Sequence, residues 1–274
     1  MTPIGVFDSG YGGLTVLKEM VQLLPQYDYL YLGDNARNPY GSRSFEVIYQ
    51  YTKEAVDFLF SQGCELIILA CNTASAKALR SIQQNDLYKW GPNKRVLGVI
   101  RPSVEYLIEN SISGKIGVLG TEGTVKSNSY PLEIAKFSLK RSMEVFQQAC
   151  PMWVPIIENN NIDTDGAKFF IHKDVTSLLS QSNDIDTLLL GCTHYPLIKS
   201  IIEQYVPDGV HVLSQGEIVA KSLMDYLSRH LDLERRCSKR GTTEFLTTES
   251  IALFNARASM FYGEEISAKQ IEFH

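Results

Sequence analysis

Short apolar runs alternate along this chain with longer amphipathic stretches. The runs Ile4–Phe7, Tyr29–Gly33, Leu66–Ala70, Arg95–Val99, Lys115–Leu119, Leu188–Gly191 and Val210–Leu213 have the length and the Ile/Leu/Val content of strands buried on both faces. Between them the spacing turns helical. Phe45–Phe60 carries Ile48, Tyr51, Ala55, Phe58 and Leu59 on one face, and Glu217–Leu227 does the same with Ile218, Leu223, Tyr226 and Leu227. Strand–helix alternation predicts an α/β fold with mostly parallel sheets covered by helices. A charged stretch from Glu234 to Gly241 predicts a loop, with the basic run Arg235-Arg236 and Lys239-Arg240 solvated on it. A last strand–helix–strand pattern follows over Glu244–Leu246, Ser250–Ala258 and Glu265–Ile271.

The pattern repeats weakly. Ile4-Gly5-Val6-Phe7 opens the first half and Ile116-Gly117-Val118-Leu119 the second, each before a turn containing glycine and hydroxyl residues. Downstream in each half, an apolar strand ends in cysteine: Leu66 to Ala70 before Cys71-Asn72-Thr73, and Leu188 to Gly191 before Cys192-Thr193-His194. Two pseudo-symmetric α/β lobes, each bringing one cysteine to a shared cleft, are the predicted architecture.

Composition narrows the setting. With 44% hydrophobic and 21% charged residues over 274 positions, the chain can bury a sizeable core without disulfide or metal staples. A net charge of −5 argues against a dominant nucleic-acid surface, which needs a basic face. The start, MTPIGVFDSG, lacks the basic and apolar regions of a signal peptide, and no apolar window suits a membrane span. Five scattered cysteines, none in a C-x-x-C, fit neither a disulfide framework nor a zinc cage. A reduced, cytoplasmic protein without a metal is expected.

The chemistry concentrates at the two strand ends. Ligands of open α/β sheets sit beyond the carboxyl ends of strands, where this reading puts Cys71 and Cys192. Asn72 and Thr73 after one, and Thr193 and Pro196 after the other, suit helix starts. A thiol at a helix N-terminus gains from the dipole, which favours the thiolate. Two such thiols suit proton removal from one face of a carbon and return to the other. His194 can orient or deprotonate Cys192, whereas Cys64, Cys150 and Cys237 read as buried structural thiols. The first turn, Asp8-Ser9-Gly10-Tyr11-Gly12-Gly13, half matches a dinucleotide fingerprint, with Asp34 where a ribose-binding acid could sit, but Thr15 replaces the third glycine. Alternatively, Asp8 and Ser9 face the cleft. The loop from Gly33 to Gly41 is a further candidate for ligand contacts.

Taken together, the segments IGVFDSGYGG (4–13), GDNARNPYG (33–41), ACNTASA (70–76), IGVLGTEGTVKSNSY (116–130), VPIIE (154–158) and GCTHYPLI (191–198) closely resemble the glutamate racemases of the aspartate/glutamate racemase superfamily. The resemblance implies cofactor-independent interconversion of L- and D-glutamate for peptidoglycan, with Cys71 and Cys192 as the acid/base thiols. By position it makes Asp8 and His194 their assistants, with Asp34 and Glu158 in the family's acidic positions. Ser9, Pro39, Tyr40, Gly41, Asn72, Thr73, Thr121, Thr124 and Thr193 would contact the substrate. It further implies two α/β domains, residues 98–206 forming the second and 1–97 with 207–274 the first, and a homodimer. Two positions depart from the family pattern: Arg101, where an acid is common, and Asn38, where an apolar residue is commoner. Aspartate is the rival substrate. A Cys192–His194 nucleophile is a rival mechanism that leaves Cys71 without a role, and a nucleotide-binding module is a rival function.

Overall fold

The computed structural model describes residues 1–138 and 141–273. Among these residues, ten strands form in chain order: β1 (Ile4–Asp8), β2 (Tyr29–Gly33), β3 (Leu66–Leu69), β4 (Arg95–Gly98), β5 (Lys115–Gly120), β6 (Glu144–Ala149), β7 (Thr187–Gly191), β8 (His211–Leu213), β9 (Thr243–Thr247) and β10 (Ala268–Gln270). They make two sheets, ordered β10-β9-β2-β1-β3-β4 and β6-β5-β7-β8. Every pair is parallel. Parallel pairing requires crossovers, and the amphipathic helices supply them. The helix Phe45–Ser61, for example, is capped by the Ser44 hydroxyl, which accepts from Val47 N, and it buries Ile48, Ala55, Val56 and Leu59.

The repeat is visible as topology. Strands β2-β1-β3-β4 and β6-β5-β7-β8 follow the same order, and the registers match too. Phe7 pairs with Leu69 in the first sheet, and Leu119 with Leu190 in the second. Each cysteine lies two residues beyond the second member of its pair. One large apolar cluster runs unbroken between the lobes, including Tyr11, Leu14 and Ile68 from the first and Trp153, Leu188 and Leu190 from the second. Separate clusters fill the other face of each sheet.

One strand is absent from the sequence reading, and two expectations need correction. Strand β6 is not evident in the sequence, because Glu144-Val145-Phe146-Gln147-Gln148-Ala149 lies at a sheet edge, half-exposed, and needs no continuous apolar run. The charged stretch after Glu234 is not all loop. Helix Leu231–Arg236 occupies its start, and three residues of the basic run are paired: Arg236 with Glu65, Lys239 with Glu234 and Arg240 with Asp28. The chain also stays in the second lobe past residue 207, since β8 pairs with β7, and it crosses back only at helix Gln215–Arg229, which packs on helix Gly13–Leu23. Among the described residues, no helix is long and apolar enough to cross a membrane.

Candidate active site

The carboxyl ends of β1, β2, β3, β5, β6 and β7 converge on one cavity of about 220 Å³. Cys71 and Cys192 both line it, one from each sheet, and each is only 6% exposed. Ser9, Asn72, Thr73, Thr193 and His194 line it as well, and so do Pro39, Tyr40, Gly41 and Thr121. The lobes touch around its rim. The Thr73 and Thr121 hydroxyls lie 2.9 Å apart, and Gly123 N donates to Gly41 O at 2.8 Å. A Cβ on Gly123 would stand 2.8 Å from that carbonyl, so glycine lets the backbones meet.

The remaining expected residues stand behind this surface. Asp8 is fully buried. Its carboxylate accepts from Gly10 N at 3.0 Å and from the Thr193 hydroxyl at 3.4 Å, which links the first turn to the Cys192 loop. Glu158 accepts from His194 Nε2 at 2.8 Å. Thr124 supports Thr121 through N–H and hydroxyl contacts. Asp34 is not brought to the cavity; it is taken up by Arg37, Tyr40 and Thr248. That arrangement also removes it as a ribose ligand. Thr15, the residue that breaks the dinucleotide fingerprint, donates to Thr193 O at 2.9 Å. The turn therefore serves contact between the lobes. A Cβ on Gly12 would lie 2.2 Å from Thr193 Oγ1, so the same turn has no room for a side chain.

The two thiols have different neighbours. Cys71 caps helix Asn72–Lys77 itself, accepting from Ala74 N at 3.4 Å and donating to Ser9 Oγ at 3.4 Å. Burial nonetheless pushes its thiol up to about 12, and the nearby Asp8 charge adds to this, so desolvation overrides the helix terminus expected to favour a thiolate. Cys192 Sγ lies 3.9 Å from His194 Nδ1. Burial alone would push His194 down, but its hydrogen bonds to Cys192 and Glu158 and their charges raise it to about 10. Burial alone would raise Glu158, but His194, with Asn38 and Arg257 contributing, holds its carboxyl below the ordinary range. Burial raises Asp8 against the opposing His194 charge.

Several contributors are not apparent from the sequence. Cys150, read there as structural, follows strand β6 and lines the cavity. Gln215 bonds to Asn72 (2.6 Å), Tyr130 (2.9 Å) and Ser103 (2.7 Å), all buried. Phe261, from the C-terminal region, packs edge-on against His194 with ring centroids 5.1 Å apart. Of the two departures, Arg101 is exposed and pairs with Glu105, whereas Asn38 lines the cavity. Among the described residues, no group of three or more His, Cys, Asp or Glu is arranged to hold a metal ion.

Comparison with known proteins agrees with this architecture. The Asp/Glu/Hydantoin racemase family matches residues 4–223. Glutamate racemase of Streptococcus mutans is 40% identical over 259 residues, covering 94% of this chain and 93% of the relative. Among solved structures, glutamate racemase isoform RacE1 of Bacillus anthracis superimposes with a TM-score of 0.89 at 35% identity, covering 99% of this chain and 97% of that one. Glutamate racemase of Francisella tularensis, in complex with D-glutamate, gives 0.86 at 30% identity, with 99% and 98% covered. The chain is an isomerase that belongs to the Asp/Glu/Hydantoin racemase family and, within it, to the glutamate racemases.

Proposed function

We propose that this chain interconverts L- and D-glutamate without a cofactor, in the cytoplasm, and so supplies D-glutamate for peptidoglycan. One observation carries the reading: two thiols, in matched register at the ends of β3 and β7, line the same cavity from different lobes. One sulfur, as thiolate, takes the α-proton from its face of the substrate. The other, as thiol, delivers a proton to the opposite face. The configuration inverts, and the two sulfurs exchange protonation states. The reverse reaction uses the same groups with the roles swapped.

The α-proton beside a carboxylate is weakly acidic, so charge developing on the carboxylate oxygens needs fixed donors. The hydroxyls of Ser9, Thr73 and Thr193, the Asn72 amide and nearby backbone N–H groups serve that need. A substrate ammonium beside Cys71 offsets the burial that holds its proton, because a neighbouring cation favours the thiolate. At the other face, the His194–Glu158 pair balances charge as Cys192 changes state. Free thiols suit a reducing compartment, and all five cysteines are free. The two lobes act as two domains, with the substrate held between them. The homodimer implied by the family resemblance is tested by sedimentation velocity.

The deciding experiment follows optical rotation of L- and of D-glutamate in D₂O without added cofactor or metal. Decay to zero from both enantiomers, with deuterium at the α-carbon, is expected. Rotation lost with aspartate but not glutamate would keep the mechanism and change the substrate; a one-methylene difference gives only about 1–3 kcal/mol of discrimination. The Cys192–His194–Glu158 series also has the form of a nucleophile, base and orienting acid. Under that hydrolase reading Cys71→Ser is nearly harmless. Under the racemase reading it costs about 10³-fold or more.

A further inference from the structure

Glu158 and Asn38 come from different lobes. Glu158 ends helix Trp153–Glu158 in the second, and Asn38 lies in the loop after β2 in the first. Asn38 Nδ2 donates to both carboxylate oxygens, at 3.0 Å to Oε1 and 3.2 Å to Oε2. The amide orientation follows from chemistry, since its carbonyl oxygen could not face two acceptors. Oε1 is the same oxygen that accepts from His194 Nε2 at 2.8 Å. On its other side the Asn38 amide packs against the first turn, where a Cβ on Gly10 would lie 3.4 Å away. A carboxylate held by His194 alone is free to turn about its Cγ–Cδ bond. Donation to both oxygens fixes its plane.

We propose that Asn38 is a positioning residue that bridges the cleft, fixing the Glu158 carboxylate against His194 and so tuning proton transfer at Cys192. The proposal rests on the two-thiol reading above. Asn38 moves no proton itself. It sets the orientation and basicity of the carboxylate that balances the imidazolium when Cys192 is a thiolate. A commoner apolar residue at this position would leave Glu158 with one donor fewer.

The test uses the full chain with Asn38→Leu, which removes the donor, and Asn38→Asp, which sets a second carboxylate against Glu158. For Asn38→Leu, kcat is expected to fall about ten-fold, with a smaller change in KM, as for loss of a hydrogen bond to a charged group. Because the equilibrium constant of racemisation is one, kcat/KM falls equally from both enantiomers. The pH profile is the specific readout. The other groups facing Glu158 are His194, Arg257 from helix Ile251–Tyr262, and Asp8 and Tyr11 from the first turn, and all are retained. Removing donors from a carboxylate raises its pKa, so the acid limb of kcat/KM should move to higher pH, further in Asn38→Asp than in Asn38→Leu. ¹³C NMR titration of the Glu158 carboxyl, assigned against Glu158→Gln, should show the same upward shift without turnover. An active wild type with an unmoved acid limb and coincident titration curves in folded variants would overturn the proposal, even if kcat fell. If Asn38→Leu does not fold, the isosteric Asn38→Asp is read by the same criteria. A wild type inert toward glutamate would sink the racemase reading instead, and the titration would still decide whether Asn38 tunes Glu158.

Discussion

Cys71 and Cys192 occupy the same place in two copies of one topology, yet their surroundings share little. Around Cys71 the hydrogen bonds are neutral, with the Asp8 charge nearby: the Ser9 hydroxyl, Ala74 N–H, and behind Asn72 the amide and hydroxyl network of Gln215, Tyr130 and Ser103. Around Cys192 they are ionic: His194, Glu158 and, through Asn38, the opposite lobe. Pseudo-symmetry of the backbone thus delivers two sulfurs to one cavity from two lobes, while the side chains behind them give each sulfur its own surroundings. A reaction with equilibrium constant one does not require equal partners. It requires that the two transfers together be fast in both directions.

The sharpest way to break this comparison is to remove one assistant from each half. His194→Asn is expected to lower racemisation by about 10²-fold or more, in the range of a general acid–base group. Ser9→Ala, which removes a single neutral contact, should cost about ten-fold or less. Steady-state assays from both enantiomers check this. The α-deuterium isotope effect adds a directional readout: in His194→Asn it should increase only for the enantiomer whose proton goes to Cys192. Equal losses in the two variants would mean that the halves are chemically as well as topologically alike.

Part of the site is legible in the sequence. The thiols, His194 and the Asp8 turn stand out because strand ends in parallel sheets are where ligands sit, and these residues follow apolar runs directly. The C-terminal region reads as strand, helix and strand, and β9 and β10 do extend the first sheet. Its contact with the site is not legible, since nothing in the spacing of Phe261 says that it lies against His194. Gln215 is hidden for a similar reason. It opens an amphipathic helix whose apolar face dominates the pattern, and its partners Tyr130 and Asn72 lie 85 and 143 residues away in sequence. Strand β6 escapes the pattern because an edge strand can be polar, and the place of Cys150 in the cavity escapes with it. The motif position of Asp34 points to the site, but its carboxylate is consumed by Arg37, Tyr40 and Thr248.

A smaller effect tests whether the Cys71 half is indeed held by neutral contacts. Gln215→Ala leaves the Asn72 amide and the Tyr130 and Ser103 hydroxyls short of partners in a buried place, at a cost of about 1–3 kcal/mol in urea unfolding. With Asn72 loosened beside Cys71, racemisation should fall a few-fold to ten-fold. No charged group is involved, so the fractional loss should be constant between about pH 6 and 9, whereas the loss in Glu158→Gln should vary with pH. A pH-dependent loss in Gln215→Ala would show that the network reaches the ionic half.

The last comparison concerns the ligand-free thiols. Alkylation proceeds through thiolate. With its pKa pushed up to about 12, Cys71 is almost entirely thiol at neutral pH. Its alkylation by iodoacetamide in Cys192→Ser should therefore be slow at pH 7 and rise about ten-fold per pH unit to pH 10, without a plateau. In Cys71→Ser the remaining cavity thiol, Cys192, lies 3.9 Å from His194 Nδ1, and its alkylation over the same pH range is the comparison. Peptide mapping by mass spectrometry separates both from Cys150, which shares the cavity. Alkylation of Cys71 that is already fast at pH 7 and flat to pH 10 would show that burial does not hold its proton in the ligand-free protein.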